Sequence, residues 1–385
     1  MSSPRRLLIE GWRGIAHSYA LVNQFQILEL LSRGGITIAF RDLPLEGLRC
    51  SRAVGLFSPE QEERIAALPA PAAGEEFDAV FRIGGKLDLR MSPLAPRTVV
   101  FSTAENGMIP AAFTFDNRPI ARTLENNPVR IVTPSNWSRL GFLRSGASAN
   151  RVVVVPHGID PTIFSPLDES SRAEIRRGLR WDGVVFLTVG AATANKGVNL
   201  LLKAFAAVSR KHPRTHLYIK GINDLYESNV RVEETISNLS EDEKRQISGR
   251  AHFTGGLGPF TEMARLYRLA DAYVCPYLSE GFCLPALEAA ACGAPVICTE
   301  GGPTDDFVRD EFAMRIRSRM MTVPDCYGEP GWQLEPDLDH LIELMTRVVE
   351  QPEIRQRAHI AGPQFVHGNY TWRHAVDRLL PILFS

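Results

Sequence analysis

Between residues 270 and 302 the chain reads ADAYVCPYLSEGFCLPALEAAACGAPVICTEGG, and that spacing admits few folds. Residues 272–275 are a short apolar run closed by Pro276, and residues 295–299 are a second. Runs this short and apolar on both faces predict buried parallel strands. The segment between them has helix ends. Pro285 suits a first helical position, where its missing N–H costs nothing, and Gly293 with Pro295 suits a stop. Residues 279–284 are then a strand-to-helix turn. The amides of Gly281, Phe282, Cys283 and Leu284 lie there at the positive end of a helix dipole, a setting for phosphate. Glu280 precedes the turn and could reach a group beside the phosphate, while Glu288, one turn inside the helix, could accept two hydrogen bonds from a vicinal diol such as a ribose. The plainer alternative is a βαβ unit with both glutamates solvated. Crevices at strand ends, however, are where open α/β sheets take ligands.

The length of 385 residues predicts two domains. Hydrophobic residues at 44% and charged residues at 23% are ordinary for a water-soluble chain, and a net charge of −1 gives no global field for nucleic acid. Arg309, Arg315, Arg317 and Arg319 form a local basic run, read as a solvated face. No run approaches the roughly 18 apolar residues of a transmembrane helix, which leaves only peripheral membrane contact. The N-terminal apolar run of residues 7–9 ends at Glu10, too short for a signal peptide, so the expected location is cytoplasmic. The six cysteines show no metal-ligand spacing and read as reduced and buried.

Further strands are predicted at 7–10, 37–40, 79–83, 98–102, 130–133, 152–155, 184–189, 216–219 and 252–254, and helices at 18–33, 170–180, 261–270, 338–350 and from Trp372 onward. Ser135 reads as the N-cap of a helix through Leu143, and residues 240–243 as a capping box. Residues 161–182 are polar and charged and are read as the linker between domains. The first strand empties into a loop with Gly11, Arg13, Gly14 and His17; strand, glycine-bearing loop, helix lets a ligand approach the backbone. His17 either reaches a ligand there or simply begins the helix. Glu105 lies just past the strand at 98–102, on the ligand side of a parallel sheet.

The sequence EGFCLPALE, a glutamate, seven residues and a second glutamate, followed by AAACGAPVI, closely resembles the signature of glycosyltransferase family 4, retaining nucleotide-sugar transferases. The resemblance is strong over residues 134–308, with VVVVPHGID similar to the family's interdomain turn, and weak before them. It implies an α/β protein of GT-B fold: two doubly wound, Rossmann-like domains facing across a cleft. The expected division is an acceptor-side domain at 1–165, a donor-binding domain at 166–365, and a C-terminal helix at 366–385 crossing back to the first.

The resemblance also implies roles. Glu280 lies by the donor sugar, the amides of Gly281, Phe282, Cys283 and Leu284 hold the diphosphate and sugar hydroxyls, and Glu288 binds the ribose. The segment GAATANKG resembles the family's phosphate loop, with Gly190 opening it and Lys196 on the diphosphate. Ala191 stands where the family has an arginine, so one of two phosphate cations is missing. Lys220, ending the strand at 216–219, either supplies part of that charge or lies along the sheet edge. Gly11, Arg13, Gly14, His17 and Glu105 fall on the acceptor side, where many family members carry a histidine near Glu105. Lys196, Glu280 and Glu105 are the expected catalytic groups. The implied activity is metal-independent, cofactor-free transfer of a sugar, with retention, from a nucleoside-diphosphate donor to a glycan, lipid-linked or protein-linked acceptor. Two alternatives share the fold: an inactive scaffold binding nucleotide or glycan, and a non-hydrolysing nucleotide-sugar epimerase.

Overall fold

A computed structural model of the chain describes residues 4–45 and 51–385. Strands β1 (Arg5–Gly11), β2 (Ile36–Asp42), β3 (Ala79–Ile83), β4 (Thr98–Phe101), β5 (Arg130–Thr133) and β6 (Val152–Val154) form one six-stranded sheet in the order β2-β1-β3-β4-β5-β6. Strands β7 (Val184–Val189), β8 (Thr215–Lys220), β9 (Ala251–Thr254), β10 (Ala272–Cys275), β11 (Val296–Thr299) and β12 (Ala313–Ile316) form another, ordered β12-β11-β10-β7-β8-β9. Every neighbouring pair in both sheets is parallel. The chain is α/β and doubly wound, its strands centred on the short apolar runs that burial on both faces demands.

Each sheet reverses its winding beside its first strand, between β1 and β3 in one and between β7 and β10 in the other. At such a reversal the connections diverge to opposite faces and leave a crevice at the carboxyl ends of the strands. The loops leaving β1, β7 and β10 are therefore where fold geometry places ligand chemistry.

The contacts divide the chain into two compact units. One holds the chain up to Gly158 with Thr322–Trp332 and Trp372–Ser385; the other holds Ile159–Met321 and Gln333–Thr371. In the first, helix Trp372–Phe384 packs on helix Ser18–Arg33: Trp372 stacks on Phe25 with centroids 5.1 Å apart, and Arg33 pairs with Asp377 at 2.6 Å. In the second, helix Val198–Lys211 buries Leu201, Leu202, Phe205 and Val208 among Phe186, Leu217, Leu341 and Met345. Truncating Leu201 there costs roughly 2–5 kcal/mol.

Two segments differ from the sequence reading. Residues 161–182, read as a polar linker with a helix at 170–180, do hold a helix, Glu169–Gly178, but its charges are not solvent-facing throughout. Its Arg172 and Arg176 are buried, each 2.7 Å from an oxygen of Asp271 and bonded to carbonyls of residues 268–270 and Gly183. Part of the charge of this polar segment is therefore a buried ion-pair network, which holds because both guanidiniums are paired and hydrogen-bonded. Strands β13 (Ser318–Cys326) and β14 (Glu329–Pro336) pair as a separate two-stranded sheet that the apolar pattern did not signal, since Met320 and Met321 on it are exposed. The capping box at Ser240 is present: its hydroxyl accepts from the Glu243 amide at 3.3 Å, and Glu243 accepts from the Ser240 amide at 2.7 Å. Among the described residues, no helix is long and apolar enough to cross a membrane.

Candidate active site

The reversal of the second sheet brings the loop after β7 against the loop after β10. Asn195 joins them. Its carbonyl accepts from the Leu278 amide at 2.7 Å, its Nδ2 donates to the Ser279 carbonyl at 3.0 Å, and Thr193 Oγ1 donates to its Oδ1 at 2.6 Å. Gly197 lets the loops approach this closely, because it has φ of 69° and a Cβ there would lie 1.9 Å from the Pro276 carbonyl oxygen. No other residue fits that corner. Lys196, held between these anchors, reaches across to Glu280: Nζ to Oε1 is 2.6 Å, with both side chains mostly shielded. Two residues picked separately from the sequence thus meet in one charge-assisted pair.

Beyond Glu280 the chain enters helix Leu284–Ala291, with Pro285 in its first turn. Phe282 anchors the turn in the core against Phe307, with ring centroids 5.0 Å apart. Cys283 is the N-cap and adopts φ of 68°, a conformation that L-residues avoid, so the turn stores strain at the helix entrance. The Cys283 and Leu284 amides precede the point where an intrahelical carbonyl is within reach. Gly281, Phe282 and Cys283 are buried, while Leu284 is partly exposed.

Glu288, one turn into the helix, is buried at 7% exposure. Its Oε2 accepts from the Tyr267 hydroxyl at 2.8 Å. Burial drives its carboxyl up to about 7, against the opposing pull of the tyrosine hydrogen bond. Cys275 and Cys283 place their sulfurs 3.8 Å apart as free thiols behind the turn.

Gly190, with φ of 140°, opens the loop after β7 and donates its amide to the Lys220 carbonyl at 2.9 Å. Lys220 ends β8, but its ammonium is engaged by the carbonyls of Gly221, at 2.9 Å, and Gly256. The charge proposed to replace the missing arginine is held by its own loop. The basic run is likewise neutralised: Arg315 pairs with Asp310 at 2.5 Å, Arg317 with Asp337 at 3.6 Å and Arg319 with Glu335, while Arg309 lies over the Phe365 ring. A pocket of about 920 Å³ opens nearby, touching Ala194 and Gly197 on either side of Lys196 but neither Lys196 nor Glu280. The site is therefore located by the convergence of side chains at the sheet reversal and not by that pocket.

At the reversal of the first sheet the loop after β1 is turned inward. Gly11 is a packing glycine, since a Cβ would lie 2.6 Å from the Ile83 carbonyl oxygen and 2.8 Å from Asn23 Nδ2. Gly14, with φ of 68°, donates its amide to Gln24 Oε1 at 3.0 Å. Arg13 was expected to reach acceptor or phosphate. Instead it forms a two-pronged pair with Asp42 at 3.0 and 3.1 Å, donates to the Ile65 carbonyl at 2.8 Å and covers the Phe40 ring. The reason is local: β1 and β2 place Asp42 beside Gly11. His17 is the N-cap of helix Ser18–Arg33, its Nδ1 accepting from the Tyr19 amide at 3.1 Å, and burial lowers its pKa to about 4, so it is a neutral cap. Glu105 is exposed beyond β4; burial, joined by the charge of Glu105, raises the phenol of Tyr19, whose hydroxyl bonds Thr103 at 2.8 Å.

Asn195 and Tyr267 were missed in the sequence. Asn195 had a signal, as the amide side chain immediately before Lys196-Gly197, whereas Tyr267 read only as an apolar helix position.

Residues 171–365 match the family described as Glycosyl transferases group 1. A D-inositol 3-phosphate glycosyltransferase of Acidothermus cellulolyticus is 34% identical over 185 residues, 47% of this chain and 40% of that protein. A lipopolysaccharide 1,2-N-acetylglucosaminetransferase of Salmonella typhimurium is 24% identical over 258 residues, 66% of this chain and 62% of that protein. The alignments thus span less than two thirds of these relatives' own lengths. Among solved structures, HepE of Anabaena, crystallised with UDP and glucose, superposes with a TM-score of 0.69 at 13% identity over 98% of both chains. Sucrose-phosphate synthase of Thermosynechococcus elongatus does so at 0.68 and 16%, again over 98% of both. These two establish the GT-B fold. With half of its length matched to the family and its fold shared with glycosyltransferases, the chain belongs to the group 1 glycosyl transferases.

Proposed function

We propose that this glycosyltransferase is a retaining, metal-independent enzyme that moves a sugar from a nucleoside diphosphate to an acceptor hydroxyl. The observation that carries the reading is the 2.6 Å pair of Lys196 and Glu280, drawn from loops 84 residues apart at the entrance to helix Leu284–Ala291. A lysine beside a helix N-terminus opposes the charge that gathers on a departing diphosphate, and it does so without a metal ion. As the acceptor oxygen bonds the anomeric carbon, the carbon–phosphate-oxygen bond breaks. The departing phosphate oxygen then takes the hydroxyl proton on the same face, which retains configuration. Glu280 orients Lys196 and the sugar hydroxyls, and Glu288 accepts from the ribose diol. UDP and glucose in the HepE crystal support a nucleotide-sugar donor, and the inositol phosphate and lipopolysaccharide transferases support a polyol or glycan acceptor.

The test is incubation with UDP-, GDP- and ADP-sugars in EDTA, with candidate acceptors, scoring nucleoside diphosphate release and the anomeric configuration of the product by NMR. Release that EDTA leaves intact, with retained configuration, is expected. Inverted product or EDTA-abolished release contradicts the corresponding part of the proposal. Nucleotide binding with no release from any sugar would favour a non-catalytic binding protein, the reading to which Ala191 in place of an arginine lends weight.

A further inference from the structure

Tyr267 lies on helix Phe260–Leu269 with no exposed surface, its ring fixed among Tyr273 at 6.0 Å and Phe164 at 6.2 Å. A phenol in such a place needs a partner for its hydroxyl, and an apolar ring would pack there without one. The partner is Glu288 Oε2 at 2.8 Å. No second hydrogen bond reaches this carboxylate from the described residues, so one of its oxygens is held and the other has no fixed partner. Resting on the reading of Glu288 as the ribose acceptor, we propose that Tyr267 is a positioning residue. Its hydroxyl fixes one oxygen of Glu288 so that the other, ionised and correctly turned, receives the vicinal diol of a nucleoside diphosphate.

The surroundings leave this role to Tyr267. The other groups that bear on the same cluster are the thiols of Cys283, at the start of the helix, and Cys292, one turn after Glu288. Arg268, next to Tyr267, reaches Cys292 and donates to the carbonyls of Ile163 and Ser165. From helix Glu353–Asn369, which also packs on this helix, His359 meets Gly293 beyond its C-terminal end. None of these donates a hydrogen bond to the Glu288 carboxylate, so the tyrosine hydroxyl is the group that favours its ionised form.

Calorimetry tests this with whichever of UDP, GDP and ADP binds tightest, against its 2′,3′-dideoxy analogue, from pH 5.5 to 8.5. The ratio of the two affinities cancels titration of the phosphates and reads the diol alone. For the unaltered protein the expected preference above pH 7 is about 10- to 100-fold, the value of hydrogen bonds to a charged group, fading as the pH falls. Tyr267→Phe keeps the packing and removes the donor. Its preference at pH 7 should drop below about 5-fold, with the midpoint moved to higher pH. Should that variant not fold, 3-fluorotyrosine at position 267, a stronger donor, should move the midpoint to lower pH. Profiles that superpose for either altered protein overturn the positioning role and leave the glycosyltransferase reading standing. No diphosphate bound, or no ribose preference in the unaltered protein, overturns the assignment of Glu288 itself.

Discussion

The two sheets present the same device, a glycine-bearing loop leaving a strand at the reversal of winding, and they use it in opposite ways. At β1 the cation of the loop is consumed internally: Arg13 has Asp42, a carbonyl and a ring, and His17 is a buried neutral cap. At β7 the cation extends across to the neighbouring loop and meets Glu280, itself at a strained helix entrance. A cationic residue at a strand end is therefore not by itself a ligand-binding feature. What separates the two is whether strand register supplies an acid within reach, as it supplies Asp42, or leaves the charge to pair with another member of the site.

The largest expected effect tests the second reversal. Lys196→Ala should lower nucleoside diphosphate release from donor by at least about 100-fold, the scale of a lost charge stabiliser. Glu280→Gln should lose turnover as well but bind nucleoside diphosphate more tightly, because Lys196 is freed of its internal competitor. If both substitutions weaken binding alike, the pair does not open for the donor and the contrast with Arg13 narrows.

Next in size is a pH effect on stability. Below about pH 4.5 the Glu288 carboxyl is protonated whether the chain is folded or not. Between there and about pH 7 only the unfolded chain ionises it, so folding stability falls as pH rises and the loss ends above the folded value. That loss is on the order of 3 kcal/mol. Urea titrations of the unaltered protein and Glu288→Gln at pH 4.5 and 7.5 should diverge by this amount, with the glutamine variant losing less.

Arg13→Ala should cost stability, about 1–3 kcal/mol for the Ile65 carbonyl left without its donor and a bared Phe40 ring, while nucleoside diphosphate affinity stays within about 3-fold. An affinity loss as large as that of Lys196→Ala would erase the distinction between the loops. The smallest expected effect is that of Lys220→Ala, whose ammonium is already held by two carbonyls. Its nucleoside diphosphate affinity should change by less than about 3-fold.

Much of this was legible in the residues, and for identifiable reasons. Short apolar runs gave the parallel strands, and proline and glycine marked the ends of helix Leu284–Ala291, because those signals are local. Glu280 and Glu288 were singled out by their places at a strand-to-helix turn, and Lys196 by the resemblance of its glycine loop to the family's phosphate loop. The partners of Arg13, Lys220, Arg172 and Arg176 were not legible, because most of them lie far away in sequence. Register brings Asp42 to Arg13, a neighbouring strand end brings Gly256 to Lys220, and Asp271 lies nearly a hundred residues from Arg172. The pairing of Lys196 with Glu280, and the hold of Tyr267 on Glu288, depend on the order of strands, which no single segment encodes.

The central claim is that the reversal beside β7, and not the one beside β1, grips the diphosphate. Calorimetric titration of UDP, GDP and ADP into the unaltered protein, Lys196→Ala and Arg13→Ala tests it directly. One nucleotide should bind the unaltered protein and the Arg13 variant with closely similar affinity, and the Lys196 variant at least about 10-fold more weakly. Equal binding to all three proteins, or a loss confined to the Arg13 variant, would contradict the account.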